Sequence, residues 1–600
     1  MNRKEFIRVI GGASILSAVA PNYGFAGDAF ASDGVLVEAA SFKDRGGWVL
    51  DTQFYQQMGG CYLLAHGMGV PVKNASTSID LPKAGKWYIY ARTKDWCPGD
   101  WDAPGRFKLI VNGTELETTL GTQKDWNWQD AGSITMDSAG SVKIQLKDLT
   151  GFDGRLDSLY FTQTKSPKLP NKLKELFDWK DQLTGRSKLK VEEENFDLVI
   201  VGGGITGCGA ALAADSKGIK VALIQDRPLF GGNASQEVRV HTLGIHGHGS
   251  DILKKIDTKH YPNGDAKAKI DQIKREKAMA ESGVKLFANH LAIGLSKTGN
   301  KINSVEARNS STGIIKRFKA PQFIDCTGDG WLGFWAGAEF RYGREAHSEF
   351  GEEWKQKGDL WSPKVADNKV MGTSVLWNSY KASKPSKFPK VPWAMPVVGK
   401  HGHHKGEWYW EFTRNDLSQI DDAEYIRDHL FRAIYGNFYN YKKHPKNALQ
   451  ALKWVAYVGG KRESRRIVGD YIYSMQDAVK KTNFADSVVH EKREIDAHYQ
   501  RAEIGDDEDY KSKALFYKTH GHYYIPFRSL YSKDIENLMI AGRCFSCTHI
   551  GLSGPRVMNT CGQMGIATGY AAVLCKKYSL NPREIGKKHI KELRTIIGYS

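Results

Sequence analysis

Gly202, Gly204 and Gly207 stand as G-x-G-x-x-G in "FDLVIVGGGITGCGAALAADSKGIKVALIQD", after an apolar run and at the start of an alanine-rich segment. Buried strand, glycine turn, small-residue helix and second strand, in that order, are what binding of a dinucleotide pyrophosphate requires. Gly202 permits the tight turn, Gly204 admits the phosphates against the backbone, and Gly207 lets helix and strand close up. Gly203, Ile205 and Thr206 complete the loop. The first amide groups of the helix then face the phosphates, with its dipole behind them. A ribose-binding carboxylate is expected about 20 residues on, at the end of the second strand. Strand register puts Gln225 there and Asp226 one residue later, so one of the two is expected on the ribose. An amide oxygen accepts such a bond with less strength than a carboxylate.

Two later segments repeat the strand-then-turn logic. "PQFIDCTGDGWLGFWAGAEF" ends an extended run at Thr327-Gly328-Asp329. "NLMIAGRCFSCTHIGLSGPRVMNTCGQMGIATGYAAVLCKKY" passes through Gly542 and Arg543 into a helix with Gly562, Gly565 and Gly569 on one face, which suits close backbone approach. With "QDRPLFGGNASQEVRV", "FIDCTGDGWLGFWAGAEFRYGRE" and "KRESRRIVGDYIY", these motifs give residues 196–600 a resemblance to bacterial FAD-dependent oxidoreductases found beside polysaccharide-degrading genes. The resemblance implies bound FAD and an α/β Rossmann-like fold of the glutathione-reductase type. It implies FAD-binding parts at 196–345 and 531–600, with a substrate domain inserted at 346–530. It also puts Arg227, Gly231, Gly232, Asn233, Ser235 and Arg239 beside the cofactor.

Oxidation of an alcohol at a flavin needs a base for the hydroxyl proton while hydride leaves carbon. His549, just after the last cofactor turn, is the first candidate; His246 and His248, with His241, in "VHTLGIHGHGSD", are the second. Arg556 in "SGPRV" is a candidate to bind an anionic group, as are Arg462, Arg465 and Arg466 in "KRESRR", which suit equally a basic helix face paired with Glu463. Cys544 and Cys547 form a CxxC beside His549, which raises a redox dithiol; a metal site would need four converging ligands, and none is expected. "HGHHKGEWYWE", residues 401–411, could line a sugar pocket or form a surface loop.

These groups need a scaffold, and 600 residues allow several folding units. Residues 1–31 carry a basic start, the apolar "VIGGASILSAVA" and a small-x-small "AFA", the pattern of a bacterial export signal, twin-arginine or general secretory, and of a periplasmic or secreted protein. Residues 35–165 alternate polar and apolar positions between Gly, Asn and Pro turns, as in an all-β sandwich, and resemble the jelly-roll modules of carbohydrate-active proteins. Residues 166–195 are charged and polar, a linker with one short helix. The net charge of +18 favours anionic partners, yet no nucleic-acid module accompanies it and no later segment approaches the ~18 apolar residues of a membrane span. Eight cysteines are too few for a disulfide framework, though Cys61 and Cys97 could pair.

The expectation is therefore an exported flavoenzyme that takes hydride from a hydroxyl-bearing carbon of a carbohydrate, neutral or acidic, and passes electrons to an unidentified acceptor. A redox-neutral variant would oxidise, eliminate across a glycosidic bond and return the hydride. The alternatives are a thiol–disulfide oxidoreductase working through Cys544 and Cys547, and a non-catalytic carbohydrate-binding flavoprotein.

Overall fold

A computed structural model describes residues 30–395, 402–412, 417–500 and 510–599. The expected export segment lies outside the described residues except for Phe30 and Ala31, and His401 of the 401–411 motif lies outside them as well.

In the amino-terminal region, alternation decides which side chains face inward. Phe107, Leu109 and Val111 of one strand and Val142, Ile144 and Leu146 of its neighbour are buried, while the residues between them are more exposed. One four-stranded antiparallel sheet joins Val35–Glu38, Ser158–Thr162, Gly85–Thr93 and Asn127–Met136, and a second joins Ala75–Leu81, Gly140–Asp148, Phe107–Val111 and Thr114–Glu115. Val37, Ile89 and Phe161 of the first sheet share one core with Leu109, Ile144 and Leu146 of the second. Trp48, Trp87 and Trp96 are buried, Trp101 and Trp128 donate to backbone carbonyls, and Trp126 donates to Glu424, so these six rings serve packing.

The segment expected as a linker is docked. Leu176 and Trp179 of the helix Leu173–Leu183 pack on Tyr160, and the buried Lys180 ammonium lies 2.7 Å from Asp157. Glu192–Asn195 forms a parallel strand beside Ile315–Lys319, extending an antiparallel meander with His290–Thr298 and Lys301–Asn309. Charged composition reads as solvated chain; here the charges meet partners across the fold.

The region from Leu198 onward is built on a five-stranded parallel sheet. Its strands are β1 (Leu198–Val201), β2 (Val221–Ile224), β3 (Lys285–Phe287), β4 (Gln322–Asp325) and, after a hairpin of β5 (Ile495–Gln500) and β6 (Ser512–Tyr517), β7 (Leu538–Ile540). The order is β3-β2-β1-β4-β7, the doubly wound pattern in which ligands sit beyond the carboxyl ends of the strands. Three helices matter for the site: α1 (Ile205–Asp215), α2 (Ala423–Lys442) and α3 (Met558–Tyr578). The glycine face of α3 packs on α1, where a Cβ at Gly565 would come within 2.0 Å of Thr206 O and one at Gly569 within 2.3 Å of Ala210 O. That face serves helix packing, and only the amino end of α3 reaches the site. Helix α2 lies in a core with Trp96 and Phe152 of the amino-terminal region. Among the described residues no helix is long and apolar enough to cross a membrane.

Candidate active site

A cavity of about 930 Å³ opens at the carboxyl ends of β1 and β4 and extends to β5 and β6. Gly202, Gly203, Gly204, Ile205 and Thr206 form one wall. Gly202 has φ +105° and a Cβ there would lie 2.3 Å from Cys326 O, so the turn and the β4 crossing require glycine. A Cβ at Gly204 would meet only Gly232 Cα, at 3.9 Å, which leaves its backbone open to a bulky group. Gly207 is off the wall: its Cβ would meet Gly202 O at 1.9 Å, so it serves the helix–turn approach.

Gln225 and Asp226 are placed differently. The Gln225 amide oxygen accepts from Gly203 N at 2.8 Å and its nitrogen donates to Leu229 O at 3.1 Å, so the side chain braces the glycine loop. The Asp226 carboxylate, 40% exposed, lies beside it on the cavity wall. Arg227, Gly231, Gly232 and Asn233 also line the cavity. Ser235 and Arg239 do not: Ser235 is buried against Glu237, and Arg239 stacks its guanidinium 4.1 Å over the Trp454 ring.

On the other side the Asp325 carboxylate accepts from Thr327 N, Thr327 Oγ1, Leu332 N and Gly333 N, which pins the turn that carries Thr327, Gly328 and Asp329. Burial pushes the Asp329 carboxyl up, but Lys461 at 2.7 Å and Arg543 outweigh it and keep it below the usual range. Among the described residues Asp329 Oδ1 and Arg543 Nη1 are buried without hydrogen-bond partners, and both residues line the cavity with Gly542. An open glycine loop, a carboxylate beside it and orphaned polar atoms on the far wall fit a dinucleotide cofactor. Gly562, like Gly207, Ser235 and Arg239, is an expected contact that stays off the wall, since its Cβ would run into Leu253 on the packing side of α3.

Three of the four histidines expected as bases are elsewhere. His549 is buried beside Glu463, its Nδ1 2.7 Å from Glu463 Oε2 without hydrogen-bond alignment, and is absent from the cavity wall. His246 pairs with Asp257 at 2.8 Å, and His248 packs on His490 and Tyr599, both off the wall. His241 lines the cavity, where burial first and then His260 keep its imidazole below its usual value. Of the "KRESRR" arginines only Arg462 reaches the cavity; Arg465 stacks on Trp331 and Phe334, and Arg466 is buried between Glu463 and Glu345.

The better placed histidine is His498, on β5. Its Nδ1 lies 2.7 Å from Glu411 Oε2, and Nε2 lies 3.3 Å from Asp496 Oδ1. Burial alone would raise the Glu411 carboxyl, but Arg462 and His498 hold it down at about 2. The ionised Glu411 accepts from Nδ1, while Nε2 faces the Asp496 carboxylate across 3.3 Å. Trp408 meets the ring edge-on, with centroids 5.0 Å apart. Arg493 and Arg556 flank Asp496 at 2.9 and 3.3 Å, and burial, partly offset by Asp496, lowers the Arg556 guanidinium to about 10. His498, Asp496, Trp408, Glu407, Arg462, Arg493 and Arg556 all line the same cavity as the glycine loop. One sequence signal was available for this cluster: Asp496 and His498 share one face of a strand, two residues apart.

Cys544 and Cys547 are buried, donate to Asp325 O and Phe545 O respectively, and are absent from the wall. Burial holds both thiols well above their ordinary value. All eight cysteines are free, Cys61 and Cys97 included.

The family profile described as "FAD dependent oxidoreductase" matches residues 197–597. The chain belongs to that family. Its cofactor is FAD. Short stretches of this FAD-dependent oxidoreductase are similar to curated proteins: 69 residues are 39% identical to an aerobic glycerol-3-phosphate dehydrogenase of Staphylococcus saprophyticus, and 52 residues are 42% identical to a glycerol-3-phosphate dehydrogenase of Mycobacterium leprae. Those matches span 12% and 9% of each chain. Among solved structures, a geranylgeranyl bacteriochlorophyll reductase-like protein of Thermoplasma acidophilum aligns over 67% of this chain and 84% of its own, at 14% identity and TM-score 0.32. A glycerol-3-phosphate dehydrogenase of Bacillus halodurans complexed with FAD aligns over 29% and 44%, at 18% identity and TM-score 0.19.

Proposed function

We propose that this FAD-dependent oxidoreductase oxidises a secondary alcohol of a sugar or polysaccharide-derived fragment that carries an anionic group, outside the cytoplasm. One observation carries the reading: a carboxylate-backed histidine, Glu411–His498, lines the same cavity as the dinucleotide loop. FAD, when bound, supplies a two-electron acceptor for hydride. His498 Nε2 takes the hydroxyl proton, and the imidazolium so formed sits between the Glu411 and Asp496 carboxylates. Trp408 offers an apolar face for a sugar ring, while Arg462, Arg493 and Arg556 attract negative charge on the substrate. In the redox-neutral variant the ketone acidifies the adjacent C–H, that proton leaves with the glycosidic oxygen as an alcohol, water adds to the resulting enone, and the hydride and the proton held on His498 return to the carbonyl.

A second reading follows from the glycerol-3-phosphate dehydrogenases matched in part. In it the substrate is a small phosphorylated polyol whose phosphate meets the arginines. The thiol–disulfide reading loses its support because neither Cys544 nor Cys547 reaches the cavity. The non-catalytic reading loses its motive because Gln225 braces the loop and Asp226 is on the wall.

The test is anaerobic bleaching of the bound flavin by neutral oligosaccharides, uronate or sulfated oligosaccharides, and glycerol 3-phosphate. Bleaching by the acidic sugars supports the proposal, and bleaching by glycerol 3-phosphate alone supports the second reading. No bleaching by any of them rejects both. Release of free sugar without an added electron acceptor would identify the redox-neutral variant.

A further inference from the structure

The amino-terminal β-region supplies part of the cavity wall. The short helix Tyr55–Met58 and the residues before it bring Gln53, Phe54, Gln56 and Gln57 into the lining next to Asp226 and Ala292. This is the ribose end of the cavity, because Asp226 lies two residues past β2, next to Gln225, which braces the glycine loop.

The placement is held by many bonds. Gln56 Nε2 donates to Ala292 O at 2.9 Å and Gln57 Nε2 donates to Ile420 O at 3.1 Å. Gln53 bonds twice across the same boundary, to Tyr457 O at 2.9 Å and from Gly459 N at 3.1 Å. Thr52 Oγ1 reaches the carbonyl of Asp226 itself at 3.3 Å. Behind them the buried ion pair Asp51–Arg427, at 2.6 Å, and the bidentate pair of Arg155 with Asp428 fix the amino-terminal region on α2. Arg155, Arg427 and Asp51 are almost wholly inaccessible, and separating the pairs would leave buried charges without partners, so the contact does not open readily.

We propose that Gln56 and Gln57 bind the adenosine half of FAD, which makes the β-region part of the cofactor site. Each amide commits its nitrogen to a carbonyl of the region from Leu198 onward, and among the described residues its oxygen carries no recorded hydrogen bond. Two acceptors half-buried at the ribose end match the donors that an adenosine presents, the exocyclic amine and the ribose hydroxyls. This assignment rests on FAD as the cofactor and is independent of which alcohol is oxidised.

The experiment measures FAD release from the holoenzyme by recovery of flavin fluorescence, beside the melting temperature of the apoprotein, for the wild type and the Gln56→Lys, Gln57→Lys double variant, which keeps a nitrogen donor for each docking carbonyl and removes the oxygen acceptor. Loss of two hydrogen bonds predicts release faster by about 10-fold or more with the apoprotein melting unchanged. Unchanged release overturns the proposal. Faster release with a matching fall in apoprotein melting also overturns it, since the glutamines would then serve only domain docking. If the double variant does not fold, the single Gln56→Asn variant, one methylene shorter, is judged by the same two readouts.

Discussion

His498 Nδ1 lies 2.7 Å from Glu411 Oε2, and the same carboxylate accepts from Gly372 N and Ser512 Oγ. The ring is thereby fixed in one orientation by a group that is itself fixed. His498→Ala is expected to slow flavin reduction by substrate by about 10²–10⁴-fold, the range for losing a general base, while the flavin spectrum persists. Glu411→Gln should slow the same step less, because it leaves the imidazole in place without its charge partner. Stopped-flow reduction under anaerobic conditions reads both, and a wild-type rate in His498→Ala would remove the base from this position.

Gln225 and Asp226 are expected to fail in different ways. Gln225→Ala leaves Gly203 N without its acceptor at 2.8 Å and should cost about 1–3 kcal/mol of stability as well as FAD affinity. Asp226→Asn should weaken FAD binding and leave apoprotein melting where it was. Titration of the two apoproteins with FAD, beside their melting curves, tells whether the loop brace and the ribose contact are separate.

The buried thiols should be dispensable for chemistry. In Cys544→Ser, Cys547→Ser each hydroxyl can donate to the carbonyl its thiol now meets, so turnover is expected to persist with a modest loss of stability. Loss of turnover in a variant that still holds FAD would return the dithiol reading.

Glu352 sets a pH signature. Burial raises its carboxyl from an ordinary value near 4.5 to about 8, although Thr548 Oγ1 and Met475 N both donate to it. Between those two values the folded protein holds a proton that the unfolded chain has lost, so stability falls as pH rises through that window and levels off above it. Glu352→Gln keeps an oxygen acceptor for both donors and has no charge to bury. Its melting temperature should change less with pH between 5 and 8, and parallel curves for the two proteins would contradict the assignment.

The dinucleotide half of the site was legible because its signals are local. Gly202, Gly204 and Gly207 act within one turn, and their role follows from the strand and helix that flank them. The catalytic half joins residues distant in sequence: Glu411 meets His498 across 87 positions, through strands whose pairing no short motif announces. His549 looked favourable by proximity to the last cofactor turn, yet the chain turns it inward onto Glu463. The charged stretch 166–195 misled for a related reason. Composition shows that Lys180 and Asp181 are charged, and only the tertiary fold shows that Asp157 and Arg308 are waiting for them.

The cavity takes lining from Gln53 at one end of the described chain and from Cys561 near the other. No contiguous stretch of polypeptide can therefore form it in advance, and it comes into being only when contacts of the largest sequence separation have closed, the slowest class to form. The yellow colour of bound flavin thus reports completion of the whole architecture. A protein that refolds region by region should recover its β-sheet signal well before it recovers its colour.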